Sequence, residues 1–301
     1  MDRRQWLLTS ATTVLASSSL YFWIRRLDMN QQNTSRTEQS TSKRLPVLFI
    51  GHGSPMNAIA DNPFTRKLGE LGRIIQRPKA ILCVSAHWMT EGSWVTHMPK
   101  PKTIHDFYGF PKPLFDVQYP APGSPEFADL IRSEVEDPKV NADDETWGLD
   151  HGTWSVLRHM YPQADIPVLQ LSIYMSQPPE YHFRLGQQLR RLRDQGVLIV
   201  GSGNIVHNLR QIDFNPTAKP FDWAIEFDEW VKERLNHSDY SAVINDATKS
   251  PAGKLSIPSP DHWYPLLYTL GASGEQDRLR FEFEGIDHGS ISMRCLSLGL
   301  A

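Results

Sequence analysis

The sequence contains little cysteine and carries no surplus of positive charge. Its two cysteines, Cys83 and Cys295, both lie in apolar, strand-like runs, which indicates buried thiols rather than a disulfide framework. Lys and Arg number 31 against 34 Asp and Glu, a formal net charge of −3. This balance lacks the basic surface that nucleic-acid-binding proteins need. We therefore expect small-molecule partners and no nucleic acid.

Several signatures of well-known enzyme classes are also missing. The chain has no G-x-S-x-G nucleophile elbow, as α/β-hydrolases have, and no H-E-x-x-H zinc motif. The stretch Gly201-Ser202-Gly203 resembles the start of a dinucleotide-binding loop, but the third glycine is missing. Phosphate-loop spacing is absent as well. Serine-hydrolase and nucleotide-dependent chemistry are both disfavoured.

Strand-like runs alternate with amphipathic segments along the chain, which predicts an α/β fold. We expect a single domain with a central mixed, largely parallel sheet that is flanked by helices, and an active site at the strand C-terminal ends. Helices are predicted over residues 62–76, 124–136, 154–160, 181–194 and 221–235. Residues 237–258 are predicted to be irregular. Residues 279–283 and 291–296 predict a closing hairpin through Asp287-His288-Gly289.

Three apolar runs without alternation, typical of strands that are covered on both faces, each lead into a histidine. The pairs are residues 47–50 with His52, residues 80–85 with His87, and residues 196–201 with His207. Since open α/β sheets bind their ligands at the carboxyl ends of strands, the three histidines suggest a shared site. Neutral imidazole suits Zn and Fe, and three such ligands leave positions open for water, substrate or O₂. The alternative is that each histidine satisfies a local loop carbonyl.

The N-terminal residues form a separate region. Arg3-Arg4 followed by Trp6 and Leu7 resembles a twin-arginine export signal. Residues 1–26 are therefore predicted to be an export signal or membrane anchor, and the protein to be periplasmic or anchored facing the periplasm. The alternative is a cytoplasmic protein with a frayed N-terminal helix. Residues 27–44 are polar and predict a linker, so the catalytic domain is expected over residues 45–301.

Six ordered motifs, over roughly residues 45–299, resemble those of the 4,5-DOPA extradiol dioxygenases, which belong to the LigB-type class III extradiol ring-cleaving superfamily. The motifs are Gly51-His52-Gly53-Ser54-Pro55, Ser85-Ala86-His87-Trp88, Thr103-Ile104-His105-Asp106-Phe107, Asp150-His151-Gly152, Gly203-Asn204-Ile205-Val206-His207-Asn208-Leu209 and His262-x-x-Pro265-Leu266-Leu267. The resemblance does not extend to the first 44 residues.

The resemblance implies a metal site held by histidines. His52, His87 and His262 are the expected ligands, with His207 as a fourth ligand or a close neighbour. One non-haem Fe²⁺ per chain is the expected cofactor, and Zn²⁺ could occupy the same site. Asp261 lies next to His262, but its side chain is expected to point elsewhere rather than bind the metal.

The resemblance also implies a reaction that opens a catechol ring, such as that of DOPA, outside the diol and inserts both atoms of O₂. His151 is the expected acid/base, and Asp150 could fix its tautomer. The alternative for His151 is a loop residue at a helix start. His105 and Tyr108 are expected either to bind the catechol or to pack within their loop.

Other residues receive supporting roles. Ser54 and Asn208 are expected to orient the ligand imidazoles by hydrogen bonds, or simply to stabilise turns. Trp88 and Trp263 are expected to be apolar walls of the site. The remaining histidines are expected to be structural or solvated: His97, His159, His182, His237 and His288.

Two rival functions remain open from the residues. The first is a zinc-dependent hydrolase that uses the same histidines to activate water. The second is a non-enzymatic metal-binding or interaction protein of the same fold. The dioxygenase interpretation requires O₂ and a catechol as small-molecule partners, and it involves a membrane only through the N-terminal segment.

Overall fold

Buried apolar runs form an eight-stranded sheet in this computed structural model, which describes residues 44–215 and 217–300. The strands are β1 (Val47–Gly51), β2 (Ala80–Thr90), β3 (Ser93–Thr96), β4 (Val140–Asp143), β5 (Val168–Tyr174), β6 (Val197–Gly203) and β7 (Leu279–Phe283), with β8 (Ile286–Asp287), β9 (Ile291–Ser292) and β10 (Cys295–Leu298). The spatial order in the large sheet is β4-β3-β5-β2-β6-β1-β10-β7, and β8 pairs with β9 separately.

The four central strands β5, β2, β6 and β1 are parallel to one another. Strands β10 and β7 add an antiparallel edge next to β1, while β3 runs antiparallel to β5 and parallel to β4. Val47 and Phe49 pack into one hydrophobic cluster, and Leu48 and Ile50 pack into a second cluster. Because both faces are covered, the strands read as unbroken apolar runs. The predicted mixed, largely parallel sheet is confirmed.

Helices cover both faces of the sheet. They are α1 (Pro63–Ile74), α2 (Lys112–Phe115), α3 (Pro125–Glu134), α4 (His151–Met160), α5 (Pro179–Leu189), α6 (Asp222–Asn236), α7 (Tyr240–Asn245), α8 (Pro251–Ser256) and α9 (Tyr264–Ala272). Short 3-10 helices span Pro55–Ile59, Arg190–Gln195 and Leu209–Gln211. Helix α1 begins where expected, because Asn62 and Thr65 form a capping box and Pro63 occupies the first turn.

Several boundaries differ from the sequence-based expectation. Residues 237–258 contain α7 and α8, each started by a side-chain cap, from Asp239 and Ser250 respectively. Helix α4 begins at His151 rather than at residue 154, because the Asp150 carboxylate accepts from the Thr153 backbone N–H. The expected closing hairpin is divided, since β7 pairs with β10 and the turn through His288 joins β8 to β9.

The compact unit that contains the described residues begins at Arg44. The Arg44 side chain pairs with Asp194 at 2.7 Å, and the Leu45 N–H donates to the Arg193 carbonyl. The expected export signal at residues 1–26, and the linker up to residue 43, lie outside the described residues. Of the helices in residues 44–215 and 217–300, none has the length and apolar character to span a bilayer.

Candidate metal centre

His52 lies where the chain leaves the carboxyl end of β1. Its backbone N–H donates to the Gly203 carbonyl at 3.1 Å, which continues the pairing of β1 with β6 by one step. The next residue, Gly53, has a φ of 62°, a conformation that glycine adopts without strain. The chain therefore turns away immediately, and the His52 imidazole stays buried at the sheet edge.

His87 lies within β2 rather than beyond its end, which corrects the expectation that the strand stops before it. Residues 81–84 pair in register with residues 168–171 of β5, and pairing resumes at Met89 with Ile173. More residues of β2 than of β5 lie between these two points. This bulge contains His87, and bulges re-aim side chains at the edges of sheets.

His207 and His262 come from two loops that hydrogen bonds hold together. The Asn204 N–H donates to the His262 carbonyl at 3.0 Å, and the His207 N–H donates to the Ser256 carbonyl at 2.9 Å. The two imidazoles stack with ring centroids 3.5 Å apart and an interplanar angle of 9°. Both loops thus deliver their histidines to the carboxyl end of β6.

Three of the expected ligands come together. One ring nitrogen from each of His52, His87 and His262 lies within 4.8 Å of the other two, and the Nε2 atoms of His52 and His87 are 3.2 Å apart. His207 is outside this set and is placed against the face of the His262 ring. Its position is that of a close neighbour of a ligand, and its service as a fourth ligand stays a prediction.

Hydrogen bonds on the far side of two rings leave their Nε2 atoms free to bind a metal. The Ser202 hydroxyl donates to the Gly152 carbonyl at 2.6 Å, so its oxygen accepts from His52 Nδ1 at 3.0 Å. His262 Nδ1 lies 2.6 Å from the Asp261 carboxylate, which accepts only. Asp261 therefore faces the imidazole beside it and lies outside the group of three ligand nitrogens. In the neutral form of each ring, these contacts place the proton on Nδ1 and leave the Nε2 lone pair for a metal.

The separation of the nitrogens also fits a metal ion. A tetrahedral ion with ligand distances of about 2.0–2.1 Å would hold its nitrogens roughly 3.3 Å apart, and the His52–His87 separation is 3.2 Å. Where both rings carry their proton on Nδ1, the two Nε2 lone pairs face each other, and a cation between them relieves their repulsion. The donor set therefore fits a bound divalent metal.

The electrostatics keep these imidazoles neutral, which is the form that binds metals. Burial lowers the pKa of His52 and of His87 well below the ordinary value, and the neighbouring imidazoles lower both further. Burial, reinforced by His262, lowers the pKa of His207 to about 2. At neutral pH none of these three rings competes for a proton.

His151 is the first residue of α4 and is buried, with its ring centroid 4.0 Å from that of His87. Its Nδ1 lies 2.9 Å from Asp106 Oδ2, and its backbone N–H donates to Asp106 Oδ1 at 2.9 Å. Burial raises the pKa of Asp106, but the hydrogen bonds to His151 outweigh burial and leave that pKa lowered. The carboxylate is therefore ionised beside the imidazole.

Asp150 does not have the role that was expected of it. Its carboxylate caps α4 and accepts from Ser85 Oγ at 2.7 Å and from Gln170 Nε2 at 2.6 Å. Burial raises the pKa of Asp150. Adjacent side chains at a helix start diverge, so the carboxylate that reaches the His151 ring is Asp106, 45 residues earlier in the chain. Sequence reasoning placed Asp106 in a motif but assigned it no role.

The loop that contains Asp106 also forms a wall of the site. His105 Nε2 lies 2.9 Å from the Val117 carbonyl, and its ring packs against Trp154. The Phe107 ring meets the His151 ring edge-on at 5.5 Å. Tyr108 is 93% exposed. Roles for His105 and Tyr108 in substrate binding remain predictions, and Phe107 is a contact that sequence reasoning missed.

Ser54 and Asn208 make hydrogen bonds that stabilise turns. The Ser54 hydroxyl accepts from the Met56 N–H at the start of a 3-10 helix. Asn208 donates to the Leu255 carbonyl and accepts from the Arg210 N–H. Polar contacts to the site imidazoles come instead from Ser202, Asp106 and Asp261. The signal that could have identified Ser202 is a polar residue at the end of a strand, in Gly201-Ser202-Gly203.

The two tryptophans beside expected ligands are buried, and their role as apolar walls of the site stays a prediction. Trp88 stacks on Trp147 with parallel rings, and Trp263 packs against Phe227. The other histidines find local partners. These are Asp144 for His97, the Asn57 carbonyl for His159, the Tyr268 hydroxyl for His182, the Glu233 carbonyl for His237 and the Asp213 carbonyl for His288.

Comparison with known proteins bears on this site. Residues 46–293 match the family model described as the catalytic LigB subunit of aromatic ring-opening dioxygenase. The chain is 47% identical over 262 residues to a 4,5-DOPA dioxygenase extradiol of Escherichia coli K12, covering 86% of this chain and 96% of that protein. A protein of the same name from Beta vulgaris is 41% identical over 256 residues, covering 82% and 93%.

The fold has a counterpart among solved structures. The crystal structure of an uncharacterized protein from Escherichia coli K12 superimposes with a TM-score of 0.76 at 43% sequence identity, covering 85% of this chain and all of that chain. The matched region contains the strands and loops that carry the four histidines described above, because the family model extends from residue 46 to residue 293.

Proposed function

Because the chain belongs to the LigB family of aromatic ring-opening dioxygenases and is an extradiol dioxygenase, we propose that its substrate is a catechol such as DOPA and its metal one non-haem Fe²⁺ per chain. The observation that carries the proposal is the convergence of three imidazole nitrogens at the sheet edge. The 4,5-DOPA dioxygenases among its relatives support the substrate class.

The residues that would hold the metal are His52, His87 and His262. A bound Fe²⁺ would supply Lewis acidity toward the two catechol hydroxyls and an electronic connection between the ring and O₂. Ser202 and Asp261 keep two of the imidazoles in the orientation and tautomer that binding requires. Three protein ligands leave coordination positions for the substrate oxygens and for O₂.

His151 moves the protons of the reaction. Its ring lies beside that of His87, but its nitrogens are outside the group formed by His52, His87 and His262, so it is close to the bound catechol without being one of the three ligands. It takes a proton from one catechol hydroxyl and returns a proton as the ring opens. Histidine suits both steps near neutral pH.

Aromatic side chains keep bulk water out of the site. Phe107 covers the His151 ring, and Trp88, which follows His87 on β2, stacks on Trp147. The Trp147 indole N–H donates to the Asp150 carboxylate at 3.3 Å, which ties this wall to α4. Exclusion of water strengthens the electrostatic interactions inside the site and limits side reactions.

The proposal is tested by anaerobic loading with Fe²⁺, followed by oxygen uptake over a panel of catechols. We expect one O₂ consumed per catechol and a yellow muconic semialdehyde that contains both oxygen atoms. Protein loaded with Zn²⁺, which has no redox chemistry, should show neither. Turnover without O₂ would indicate the hydrolase instead. Absence of product across the panel with iron-loaded protein would favour a non-enzymatic function.

We also propose that residues 1–26 direct the chain to the periplasm or to the membrane facing it. The support is the arginine pair followed by Trp6 and two leucines. Fractionation of cells that express the full chain should find it in the periplasm or the membrane. A variant with Arg3→Lys and Arg4→Lys should accumulate in the cytosol, and full-length unmutated protein found there would contradict the proposal.

A further inference from the structure

We propose that Asp106 is a positioning residue that fixes the tautomer of His151 and, through the same carboxylate oxygen, faces the metal ligand His87. The inference rests on the proposed function of His151 as the acid/base of ring opening. It is based on the contact between the Asp106 carboxylate and the His151 ring. The two residues lie 45 positions apart in the chain, so the local sequence does not reveal this contact.

Asp106 holds His151 at two points. Oδ1 accepts from the backbone N–H and Oδ2 lies against Nδ1, each at 2.9 Å. An ionised carboxylate accepts hydrogen bonds and donates none, so the Nδ1 of His151 carries its proton. In the neutral ring, Nε2 then keeps its lone pair. A carboxylate on one imidazole nitrogen makes the other nitrogen the base.

The same carboxylate oxygen also faces a metal ligand. Asp106 Oδ2 lies 3.4 Å from His87 Nδ1, and His87 Nε2 lies 3.2 Å from His52 Nε2. A proton on His87 Nδ1 leaves Nε2 free to bind the metal, as the His52–Ser202 pair does for its own ring. One carboxylate therefore favours the working tautomer of both the acid/base and a ligand.

The position of Asp106 is set by the backbone on either side of it. The Ile104 N–H donates to the Leu149 carbonyl at 2.7 Å, and the Leu149 N–H donates to the Lys102 carbonyl at 2.8 Å. The Trp154 indole N–H donates to the Ile104 carbonyl at 2.7 Å. These bonds join the loop to the start of α4, so Asp106 reaches His151 from a fixed point rather than from a flexible surface loop.

The Asp106→Asn variant separates positioning from mere capping of α4. Its amide oxygen can still accept from the His151 backbone N–H, which preserves the contact with the helix start. Its NH₂ group then occupies the place of Oδ2 and points a donor at Nδ1. The imidazole must accept there, which moves its proton to Nε2 and removes the base.

The direct readout is the tautomer of His151, measured by long-range ¹H–¹⁵N spectra of histidine-labelled, Zn²⁺-loaded protein. The His151 signals are assigned by their loss in His151→Ala. We expect Nδ1–H in the unmutated protein and Nε2–H in Asp106→Asn. In the iron-loaded enzyme, kcat should fall on the order of 10²- to 10⁴-fold at saturating metal, with a much smaller change in KM.

Two further variants serve as controls. Asp143, the last residue of β4, is a buried carboxylate whose oxygens accept from the backbone N–H groups of Thr146 and Trp147. Asp143→Asn should leave the His151 tautomer unchanged and kcat within a few-fold. Asp106→Glu restores an ionised acceptor, so it should recover the Nδ1–H tautomer and part of the lost rate.

An Nε2–H tautomer in the unmutated protein would overturn the proposal, as would a folded Asp106→Asn protein that keeps Nδ1–H. The spectra do not depend on turnover. A tautomer switch in a protein that opens no catechol would therefore support the role of Asp106 while contradicting the proposed function. If His151→Ala kept its turnover while Asp106→Asn still showed the tautomer switch, only the acid/base role of His151 would be contradicted.

Discussion

Histidines are buried in two regions of this protein, at the sheet edge and between α5 and α9, but their surroundings differ. His182 on α5 is fully buried, bonds the Tyr268 hydroxyl through Nδ1 at 3.0 Å, and stacks on Tyr264 at 3.8 Å. At the sheet edge, His52 and His87 are held so that their Nε2 atoms face each other at 3.2 Å. In both regions the imidazole rings are shielded from water, but the groups that contact their nitrogens differ.

The difference shows that burial alone does not identify a functional histidine. Burial lowers the pKa of His182 to about 4 and that of His52 well below the ordinary value, so both rings are neutral at pH 7. What separates them is the group opposite the ring nitrogen. The Tyr268 hydroxyl lies against the Nδ1 of His182, whereas His52 and His87 present two ring nitrogens to each other at a separation that a shared metal ion would span.

Removing a ligand should give the largest effect. In His52→Ala, we expect metal affinity to fall by more than the roughly 10–100-fold that follows loss of an outer hydrogen-bond partner, and turnover to fall to background. Metal titration and metal analysis of purified protein measure the change. The matched His182→Gln variant should keep its metal and its rate. Equal metal loss in both variants would remove the distinction between the two regions.

His151→Ala sharpens the comparison within the sheet-edge cluster itself. Because His151 is expected to move protons rather than to hold the metal, metal content should remain at the unmutated level while kcat falls about 10²-fold or more. Metal analysis together with oxygen uptake on a catechol separates the two effects. Turnover at the unmutated rate would exclude His151 from the mechanism.

Ser202→Ala tests whether the partner of a ligand matters. The variant removes the oxygen that accepts from His52 Nδ1, so the ring loses its fixed tautomer and metal affinity should weaken roughly 10–100-fold. Ser172 on β5 is a buried serine whose oxygen accepts from Thr90 and Trp94 instead. Ser172→Ala is the control and should bind metal as the unmutated protein does, measured by the same titration.

His182 should make the free energy of unfolding depend on pH, while its substitution should leave turnover at pH 7 unchanged. Its folded pKa of about 4 lies below the ordinary 6.5, mainly through burial. The unfolded chain therefore binds the proton first. The stabilisation is complete above pH 6.5 and is lost as the pH falls toward 4. Between pH 7 and pH 5 this costs roughly 2 kcal/mol of unfolding free energy.

Urea unfolding of the unmutated protein and of His182→Gln, each at pH 7 and at pH 5, measures that contribution. The difference between the two proteins should change by this amount across the two pH values, because other titrating groups are common to both. An unchanged difference would show that His182 exchanges protons equally in the folded and unfolded states.

Much of the architecture followed from local sequence pattern. Residues 47–50, 80–85 and 196–201 read as strands because strands covered on both faces need unbroken apolar side chains. Asn62 and Pro63 marked the start of α1 because capping is a local interaction. The short helices α7 and α8 were missed, since their starts depend on single caps with little apolar periodicity.

The sequence by itself determined the buried strands and the family of this protein, together with the histidines at its motifs, because these depend on residues that are close along the chain. Only the tertiary structure decided that Ser202 bonds His52, and that Asp106 rather than Asp150 bonds His151. The physical reason is that a contact across 45 or 150 residues depends on where loops meet at the sheet edge, and local periodicity carries no information about that meeting.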